Sequence, residues 1–500
     1  MNRRHFLYAA AASSWPLAAQ IPPHRLPATD HHYHKVRGYV EDVPVPEYRW
    51  ASERAYDAFR DLKYGVRIHW GLYSMSATPG ESWPFLTMSY AQRQQYQQRY
   101  RTWNPSAFDA DEWMNLFAES GMKMFAFTTK HHDGFSMFDT KARVARRVNY
   151  LAPGGPAIEN CDLAYSITET PFRRDVVREL CAAARKRNIK IDLYFSHPDW
   201  YDADFRPYNY HPLQTRSSAE LEETRERMGD RVVLAPDPSP AELAHMMTRH
   251  RRQLEELLTS YGPIDMLCLD QWLGAPVWPQ LRDTILHLRR IQPDVMLRAR
   301  GIGNYGDYYT PEGFVPGSKE NTGVPWFVIH ALGSSFSYDP DPRSYKGAGW
   351  IVSNLVDAVA KGGNLMVGIG PDGLGRFHPA AAAQLREVGE WLRVNGEGIY
   401  ATRPRAGTSW QEPPDVRFTQ TKDQRYTYAF LLRWPGPQIR LRTLRARPGT
   451  SVRLLGHPAS LAWRNNPSEG LTIELPLDLQ EDGKRRGKYC WAFRIEAEPS

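Results

Sequence analysis

Five short apolar segments of this chain each end in side chains that can take part in chemistry. They cover residues 64–70, 122–130, 189–196, 264–269 and 295–298. Each is closed or followed by histidine, aspartate or arginine, and helical patterns lie between most of them. Strands that alternate with helices in this way predict an α/β fold with a parallel sheet closed into a (β/α)8-like barrel. Because such barrels carry their functional groups at the carboxyl ends of the strands, the five ends predict one shared site.

Helical periodicity supports this fold between and after the five segments. Apolar residues recur at helical spacing in residues 108–120, 175–187, 241–260, 277–291, 351–360 and 379–394. In the first of these helices Asp109 or Asp111 is placed to cap the start, and Gly121 to end it. The barrel is therefore expected to extend over residues 47–402.

The two ends of the chain have a different composition. Residues 1–20 carry Arg3 and Arg4, then Phe-Leu and a short apolar stretch. This pattern resembles a bacterial twin-arginine export signal and predicts a periplasmic or secreted protein. Residues 21–46 are rich in proline and histidine and predict an extended arm. Residues 403–500 alternate apolar and polar side chains in short runs, which predicts an antiparallel β-sandwich with either a structural or a carbohydrate-binding role.

Charge and cysteine content argue against several classes of protein. The net charge of +7 arises from 63 basic and 56 acidic residues mixed along the chain, so nucleic acid is not an expected partner. No segment after the signal is predicted to span a membrane. The four cysteines lack metal-type spacing, and a bond between Cys161 and Cys181 stays open. No metal or cofactor is expected, and the oligomeric state is not predicted.

Asp270 is the strongest candidate for a catalytic group. It follows the fully apolar residues 266–269, so its carboxylate is expected at the mouth of the barrel, partly removed from water. A carboxylate in that setting suits the nucleophile of glycosyl transfer. The alternative, an aspartate that only caps a loop, stays open.

Three histidines stand at two of the predicted strand ends. They are His69, His131 and His132. Histidines at a barrel mouth bind metals in some enzymes, but here no carboxylate stands at the usual ligand spacing. Imidazoles that hydrogen-bond the hydroxyls of a sugar fit the pattern equally well. Three histidines together favour a ligand pocket over a structural role.

Five motifs in order along the chain resemble those of one enzyme family. They are residues 63–74, 128–135, 361–365, 370–373 and 395–400, of which Thr-Thr-Lys-His-His-Asp-Gly-Phe is the most recognisable. With these motifs the chain resembles the α-L-fucosidases of glycoside hydrolase family 29 over roughly residues 59–402. The resemblance implies a retaining exo-glycosidase that hydrolyses terminal α-L-fucosides of an oligosaccharide or glycoconjugate by double displacement.

The resemblance also implies roles for single residues. Asp270 corresponds to the nucleophile, which forms a covalent glycosyl-enzyme that water then hydrolyses. The residues that correspond to sugar-binding positions are His69, Trp83, His131, His132 and Tyr194, and Arg300 is assigned to the substrate-binding set as well. In one branch of the family an arginine precedes the acid/base glutamate at the spacing that separates Arg300 from Glu312. Glu312 is therefore the predicted acid/base, with Glu320 as the alternative.

The predicted mechanism sets two physical requirements. A general acid at this position needs a raised pKa, so an apolar or anionic neighbourhood is expected around Glu312. The carboxyl groups of Asp270 and Glu312 are expected to lie ~5–5.5 Å apart, the separation of retaining enzymes.

The chain departs from the family beside the nucleophile. Cys268 stands where the family usually has tryptophan, and Gln271 where it often has glycine. Because a smaller wall residue and a polar neighbour change which sugar fits, an α-L-galactoside or another 6-deoxy sugar is an open alternative. Two other functions stay open as well: a non-hydrolytic carbohydrate-binding protein on the same barrel, and a metal-dependent hydrolase that uses the three histidines.

Overall fold

The computed structural model describes residues 26–27, 31–76, 80–154, 156–206, 211–212, 238–316, 323–405 and 410–498. The predicted export signal at residues 1–20 lies outside these described residues, as does Glu320. Among the described residues, no helix has the length and apolar character that are needed to cross a membrane.

A parallel sheet forms the centre of the larger part of the chain. The strands described there are β1 (Tyr64–Ile68), β2 (Met124–Lys130), β3 (Val144–Asn149), β4 (Ala157–Leu163), β5 (Lys190–Ser196), β6 (Met266–Asp270), β7 (Met296–Leu297), β8 (Phe327–Ala331) and β9 (Asn364–Ile369). β3 and β4 pair as an antiparallel hairpin. The other seven form one parallel sheet in the order β7-β6-β5-β2-β1-β9-β8, and all five predicted strands belong to it.

Helices connect and cover these strands. The described α-helices are α1 (His31–Val36), α2 (Glu53–Asp61), α3 (Tyr90–Gln98), α4 (Ala110–Glu119), α5 (Val176–Lys186), α6 (Pro240–Thr259), α7 (Trp278–Ile291), α8 (Ala348–Ala360) and α9 (Pro379–Asn395). The six predicted helices are all present. Asp109 caps α4 as expected, because its carboxylate accepts from the backbone N–H groups of Asp111 and Glu112.

Residues 307–313 close the sheet into a barrel by bridging its two edge strands. Tyr308 pairs with Arg298 just after β7, and Glu312 pairs with Ile329 of β8. The predicted (β/α)8-like barrel is therefore confirmed. Its eighth position is this irregular closing segment rather than a regular strand.

Asp307 anchors the start of the closing segment. Its buried carboxylate accepts hydrogen bonds from the backbone N–H of Leu297 at 2.7 Å and from the Tyr56 hydroxyl at 3.0 Å, and it pairs with Arg289. These partners lie on β7, α2 and α7. Because three separate elements hold Asp307, the closing segment is fixed from its first residue.

Apolar side chains fill the amino half of the barrel interior. One buried cluster combines Met124, Met266, Met296 and Phe327 with Phe59 of α2. These four residues are the first residues of four different strands, so the cluster fills the barrel interior at the amino ends of the strands. The carboxyl ends of the strands are thus left for the polar side chains of the site.

The arm expected to be extended at residues 21–46 differs from that prediction in its described part. His31–Val36 form helix α1, and the side chains of Val36 and Val40 are buried in the barrel core. Val40 follows the end of α1, and its backbone N–H donates to the Val36 carbonyl at 2.9 Å. This turn brings both valines to the core, so the segment packs instead of extending into solvent.

The last part of the chain is the predicted antiparallel sandwich, which is confirmed. Its strands are β10 (Thr402–Pro404), β11 (Gln411–Glu412), β12 (Val416–Thr421), β13 (Tyr426–Leu431), β14 (Gln438–Leu441), β15 (Val452–Leu454), β16 (Ser460–Leu461), β17 (Trp463–Asn466), β18 (Gly470–Glu474) and β19 (Trp491–Glu496). β14, β18 and β17 form the smaller sheet. Side chains of both sheets share one core, among them Phe418, Ile473 and Phe493. Tyr428 and Phe430 of the larger sheet join the barrel core instead.

The four cysteines are free thiols in the structure. Cys161 is half-buried, and Cys181, Cys268 and Cys490 are buried. The bond between Cys161 and Cys181 that the sequence left open is therefore not formed.

Gly306 permits the close approach that starts the closing segment. A Cβ atom at this position would lie 2.4 Å from the Ala299 Cα atom. We expect Gly306→Ala to push the segment away from β7 and to lower the free energy of unfolding by about 1–3 kcal/mol. Thermal and urea unfolding measure this loss. Gly38→Ala is the matched control, because a Cβ there meets nothing within 4 Å. Equal stability of the two variants would contradict the tight closure.

Candidate active site

The polar strand ends meet in one pocket at the carboxyl end of the barrel. The pocket has a volume of about 310 Å³, and its lining comprises Arg67, His69, Glu81, Trp83, His131, His132, Tyr194, Asp270, Gln271, Trp272, Arg300, Glu312 and Phe336. All eight residues that the sequence predicts for a site are in this lining. A larger groove of about 810 Å³ lies at the amino end of the barrel and contains none of them.

Asp270 is held in one orientation by three donors. It ends β6 and is 7% exposed. The Tyr194 hydroxyl donates to Oδ2 at 2.5 Å, while Arg300 Nη1 and Arg298 Nη1 donate to Oδ1 at 2.9 and 3.1 Å. Two guanidinium groups and a hydroxyl stabilise the ionised carboxylate, which is the form that a nucleophile requires.

Glu312 shares the same two arginines. Arg300 Nη2 lies 3.0 Å from Oε2, and Arg298 Nη2 lies 3.7 Å from Oε1. One side of each guanidinium thus faces Asp270 and the other side faces Glu312. The Glu312 side chain is 39% exposed, whereas that of Asp270 is 9% exposed. Asp270 therefore lies deep in the pocket and Glu312 nearer its mouth.

The charge around Glu312 differs from the expected apolar or anionic neighbourhood. Burial acts to raise the pKa of Glu312, but the guanidinium groups of Arg300 and Arg298 outweigh it. The pKa of this carboxyl group is therefore below its ordinary value. The sequence prediction of a raised pKa was wrong in the structure, because it did not include Arg298 as a second cation.

Both arginines also hold the closing segment. Arg298 Nε donates to the Thr310 hydroxyl at 2.6 Å, and Arg300 Nη2 donates to the Thr310 carbonyl at 3.2 Å. Glu312 lies two residues further along the same segment. The contact that closes the barrel is thus also the contact that places Glu312 beside Asp270.

The three histidines form a polar wall of the pocket. Nδ1 of His131 lies 2.5 Å from the Ser82 hydroxyl, and Nδ1 of His132 lies 2.5 Å from the Ser196 hydroxyl. Burial lowers the pKa of His69 well below its ordinary value and that of His131 to about 3. A neutral imidazole offers one donor and one acceptor, which suits sugar hydroxyl groups. Among the described residues, no three His, Cys, Asp or Glu side chains are arranged to hold a metal ion.

Glu81 is a pocket residue that the sequence analysis did not assign. Its carboxylate accepts a hydrogen bond from the backbone N–H of Ser337 at 2.8 Å, and burial raises its pKa to about 7. Of the two glutamates in the pocket lining, Glu81 has the raised pKa and Glu312 the lowered one. Trp83, two residues after Glu81, packs its ring 4.5 Å from that of His132. The run Glu-Ser-Trp at residues 81–83 is the sequence feature from which Glu81 could have been assigned to the pocket.

Gln271 and Cys268, the two residues beside the nucleophile that depart from the family, each have a defined place in the structure. Gln271 has a φ of +65°, a left-handed conformation that favours glycine, and its side chain is buried in the pocket lining. The backbone after Asp270 thus makes the turn for which glycine is suited, while a polar side chain is kept there. The Cys268 thiol lies between Arg67 and Arg298, at 2.9 and 3.2 Å from their Nη atoms.

Comparison with known proteins agrees with this geometry. Residues 43–397 match the model of the alpha-L-fucosidase family, and residues 411–496 match that of the alpha-L-fucosidase C-terminal domain. The plasma alpha-L-fucosidase of Rattus norvegicus is 27% identical over 449 residues, which cover 84% of this chain and 86% of that protein.

Solved structures show the same relationship. The alpha-L-fucosidase isoenzyme 1 of Paenibacillus thiaminolyticus has a TM-score of 0.69 at 26% identity, and the match covers 89% of this chain and 99% of that one. An alpha-L-fucosidase of Bacteroides thetaiotaomicron has a TM-score of 0.70 at 20% identity, covering 92% and 98%, and shares the fold.

Proposed function

Since this chain belongs to the α-L-fucosidase family of glycoside hydrolases, we propose that it removes terminal α-L-fucose by a retaining double displacement. The observation that carries the proposal is the pair of carboxylates, Asp270 and Glu312, on opposite sides of the same two guanidinium groups. A protein that only binds sugars has no need of two carboxylates placed in this way. The pocket therefore favours hydrolysis over the non-hydrolytic alternative.

In the first step Asp270 attacks the anomeric carbon of the bound sugar. A bond forms between this carbon and a carboxylate oxygen, while the bond to the leaving oxygen breaks and Glu312 gives that oxygen its proton. The substrate itself favours the protonated acid, because it displaces water from around Glu312 and so strengthens the effect of burial. The position of Glu312 near the mouth suits a leaving group that points out of the pocket.

In the second step Glu312 acts as a base. Once Asp270 is esterified it no longer carries a negative charge, so both arginines are left to stabilise the Glu312 carboxylate. Glu312 then takes a proton from water, the water oxygen attacks the anomeric carbon, and the ester bond to Asp270 breaks. The lowered pKa of Glu312 in the presence of the two arginines thus suits this step.

The proposed substrate-binding groups are the histidine wall and the aromatic rings. His69, His131 and His132 would bind ring hydroxyls, and Tyr194 orients Asp270 through its hydroxyl group. The Trp83 ring would cover an apolar face of the sugar. A trapped covalent intermediate with 2-fluoro-fucosyl fluoride is known for a structural neighbour from Bacteroides thetaiotaomicron, which supports double displacement on this fold.

The proposed setting is outside the cytoplasm. The paired arginines at positions 3 and 4 and the short apolar stretch after them support export through a twin-arginine signal at residues 1–20. The proposed substrates are fucosylated oligosaccharides or glycoconjugates in that compartment.

Removal of the nucleophile tests the assignment directly. We expect Asp270→Gly to lower kcat for an aryl α-L-fucoside by about 10³-fold or more, because no covalent intermediate can form. Release of the aryl group measures turnover, and circular dichroism checks the fold. Asp482→Gly is the matched control, since this aspartate is 93% exposed. Activity of Asp270→Gly equal to that of the control would refute the nucleophile.

Azide distinguishes the acid/base from the nucleophile. We expect Glu312→Ala to be rescued by azide and to yield the α-L-fucosyl azide, because azide attacks the covalent intermediate. Rescue of Asp270→Gly would instead yield the inverted β-L-fucosyl azide. Product analysis by NMR measures the outcome. If Glu81→Gln or a Glu320 variant shows the α-azide rescue and Glu312→Ala does not, the acid/base role moves to that residue.

The pH profile tests the role of the arginines. The first step needs protonated Glu312, so kcat/KM falls as pH rises through the pKa of this group. Arg300 lowers that pKa; we therefore expect Arg300→Gln to move the alkaline limb of the kcat/KM profile to higher pH. Arg343→Gln, at an arginine whose side chain is 88% exposed, is the control. An alkaline limb that stays in place or moves to lower pH in Arg300→Gln would contradict this account.

A further inference from the structure

Arg67 places a buried guanidinium group at the floor of the pocket. It lies on β1, is 2% exposed and is part of the pocket lining. Its Nη2 atom lies 2.9 Å from the thiol of Cys268, the residue that stands where the family usually has tryptophan. A thiol is much smaller than an indole, so the guanidinium group rests against it beneath Asp270.

One N–H donor of the Arg67 guanidinium group, that of Nε, has no acceptor among the described residues. The counter-ion of Arg67, Asp192, is 3.9 Å from Nη2, which gives an ion pair but not a hydrogen bond. The rings of Tyr194 and Phe327 lie 5.2 and 5.9 Å from the guanidinium carbon. A buried donor without an acceptor is unfavourable, so an oxygen on a bound molecule would stabilise it.

The position of Arg67 relates it to one part of the sugar. Tyr194, which lies against the guanidinium group, donates its hydroxyl to Asp270, the proposed nucleophile. Because Asp270 attacks the anomeric carbon, this carbon lies beside Asp270 and therefore just above the guanidinium group of Arg67. In a pyranose two carbons lie next to the anomeric carbon: C2, which carries a ring hydroxyl, and C5, which is joined to it through the ring oxygen. In the proposed function the ring hydroxyls, the one on C2 included, are bound by His69, His131 and His132, which leaves the substituent on C5 for Arg67.

The plain methyl group of fucose offers nothing that Arg67 could bind. A hydroxymethyl group at C5, as in L-galactose, offers an oxygen acceptor. Because the Asp192 carboxylate balances the charge of Arg67, a neutral hydroxyl fits this floor better than an anionic substituent.

We infer that Arg67 is a specificity-determining residue that donates a hydrogen bond to an oxygen on the C5 substituent of the bound sugar. Terminal α-L-galactosides are thereby substrates of this enzyme alongside α-L-fucosides. The inference rests on the proposed function, because it uses the same pocket and the same nucleophile.

The test compares two aryl glycosides that differ only at C6, the α-L-fucoside and the α-L-galactoside. We expect the wild-type enzyme to hydrolyse both. Arg67→Met should lower kcat/KM for the galactoside about 10- to 100-fold more than for the fucoside, the effect of losing one hydrogen bond to a charged donor. Arg67→Met combined with Asp192→Asn keeps the measurement valid if the unpaired Asp192 disturbs folding.

Arg93→Met is the matched control for the loss of a buried arginine. Arg93 is fully buried but does not line the pocket, so this variant should leave the ratio of the two kcat/KM values unchanged. Binding of two iminosugars, one with a methyl and one with a hydroxymethyl group, gives a second readout. Their Kd ratio in calorimetry should shift in Arg67→Met by the same 10- to 100-fold, about the effect of one such hydrogen bond.

The outcomes separate this inference from the proposed function. If the wild-type enzyme hydrolyses the fucoside but not the galactoside, or if Arg67→Met lowers both activities equally, Arg67 does not select the C5 substituent and the inference is overturned. If the wild-type enzyme hydrolyses neither glycoside, the proposed function itself fails.

Discussion

Two guanidinium groups, those of Arg298 and Arg300, connect the parts of this active site. They lie between the carboxylates of Asp270 and Glu312, and they bind Thr310 of the closing segment. Removing one member of such a buried charged group costs about 3–5 kcal/mol, because the partners are left unpaired. The same contacts therefore close the barrel and hold the site together.

The same arginines decide how the proton on Glu312 is used. While Asp270 is ionised, it competes with Glu312 for the positive charge. Once Asp270 becomes an ester, the whole charge acts on Glu312. A single fixed pair of cations can thus favour an acid in one half of the cycle and a base in the other, without any movement of the protein.

Much of the fold could be predicted from the sequence, because hydrophobic periodicity depends on neighbouring residues. Helices such as α4 and α5 have their apolar faces and caps within one short stretch. The closing segment could not be predicted in this way. It has no regular period, and Asp307 is fixed in part by Tyr56 of α2, which lies 251 residues away in the chain. The burial of Val36 and Val40 likewise depends on a core that the arm itself does not contain.

The chain by itself determined which residues come together. The histidines, Tyr194, Asp270 and Arg300 stand at or near the ends of parallel strands, which must meet, and Trp83 and Glu312 were assigned through the family resemblance. Only the tertiary structure decided their electrostatics. Arg67 and Arg298 lie within strand-like segments, where sequence does not show that the side chains turn into the pocket. Their charges act through space on groups far away in the chain. For that reason the lowered pKa of Glu312 and the cationic floor beneath Asp270 emerge only from the folded barrel. The raised pKa of Glu81 does so as well, because burial is its cause.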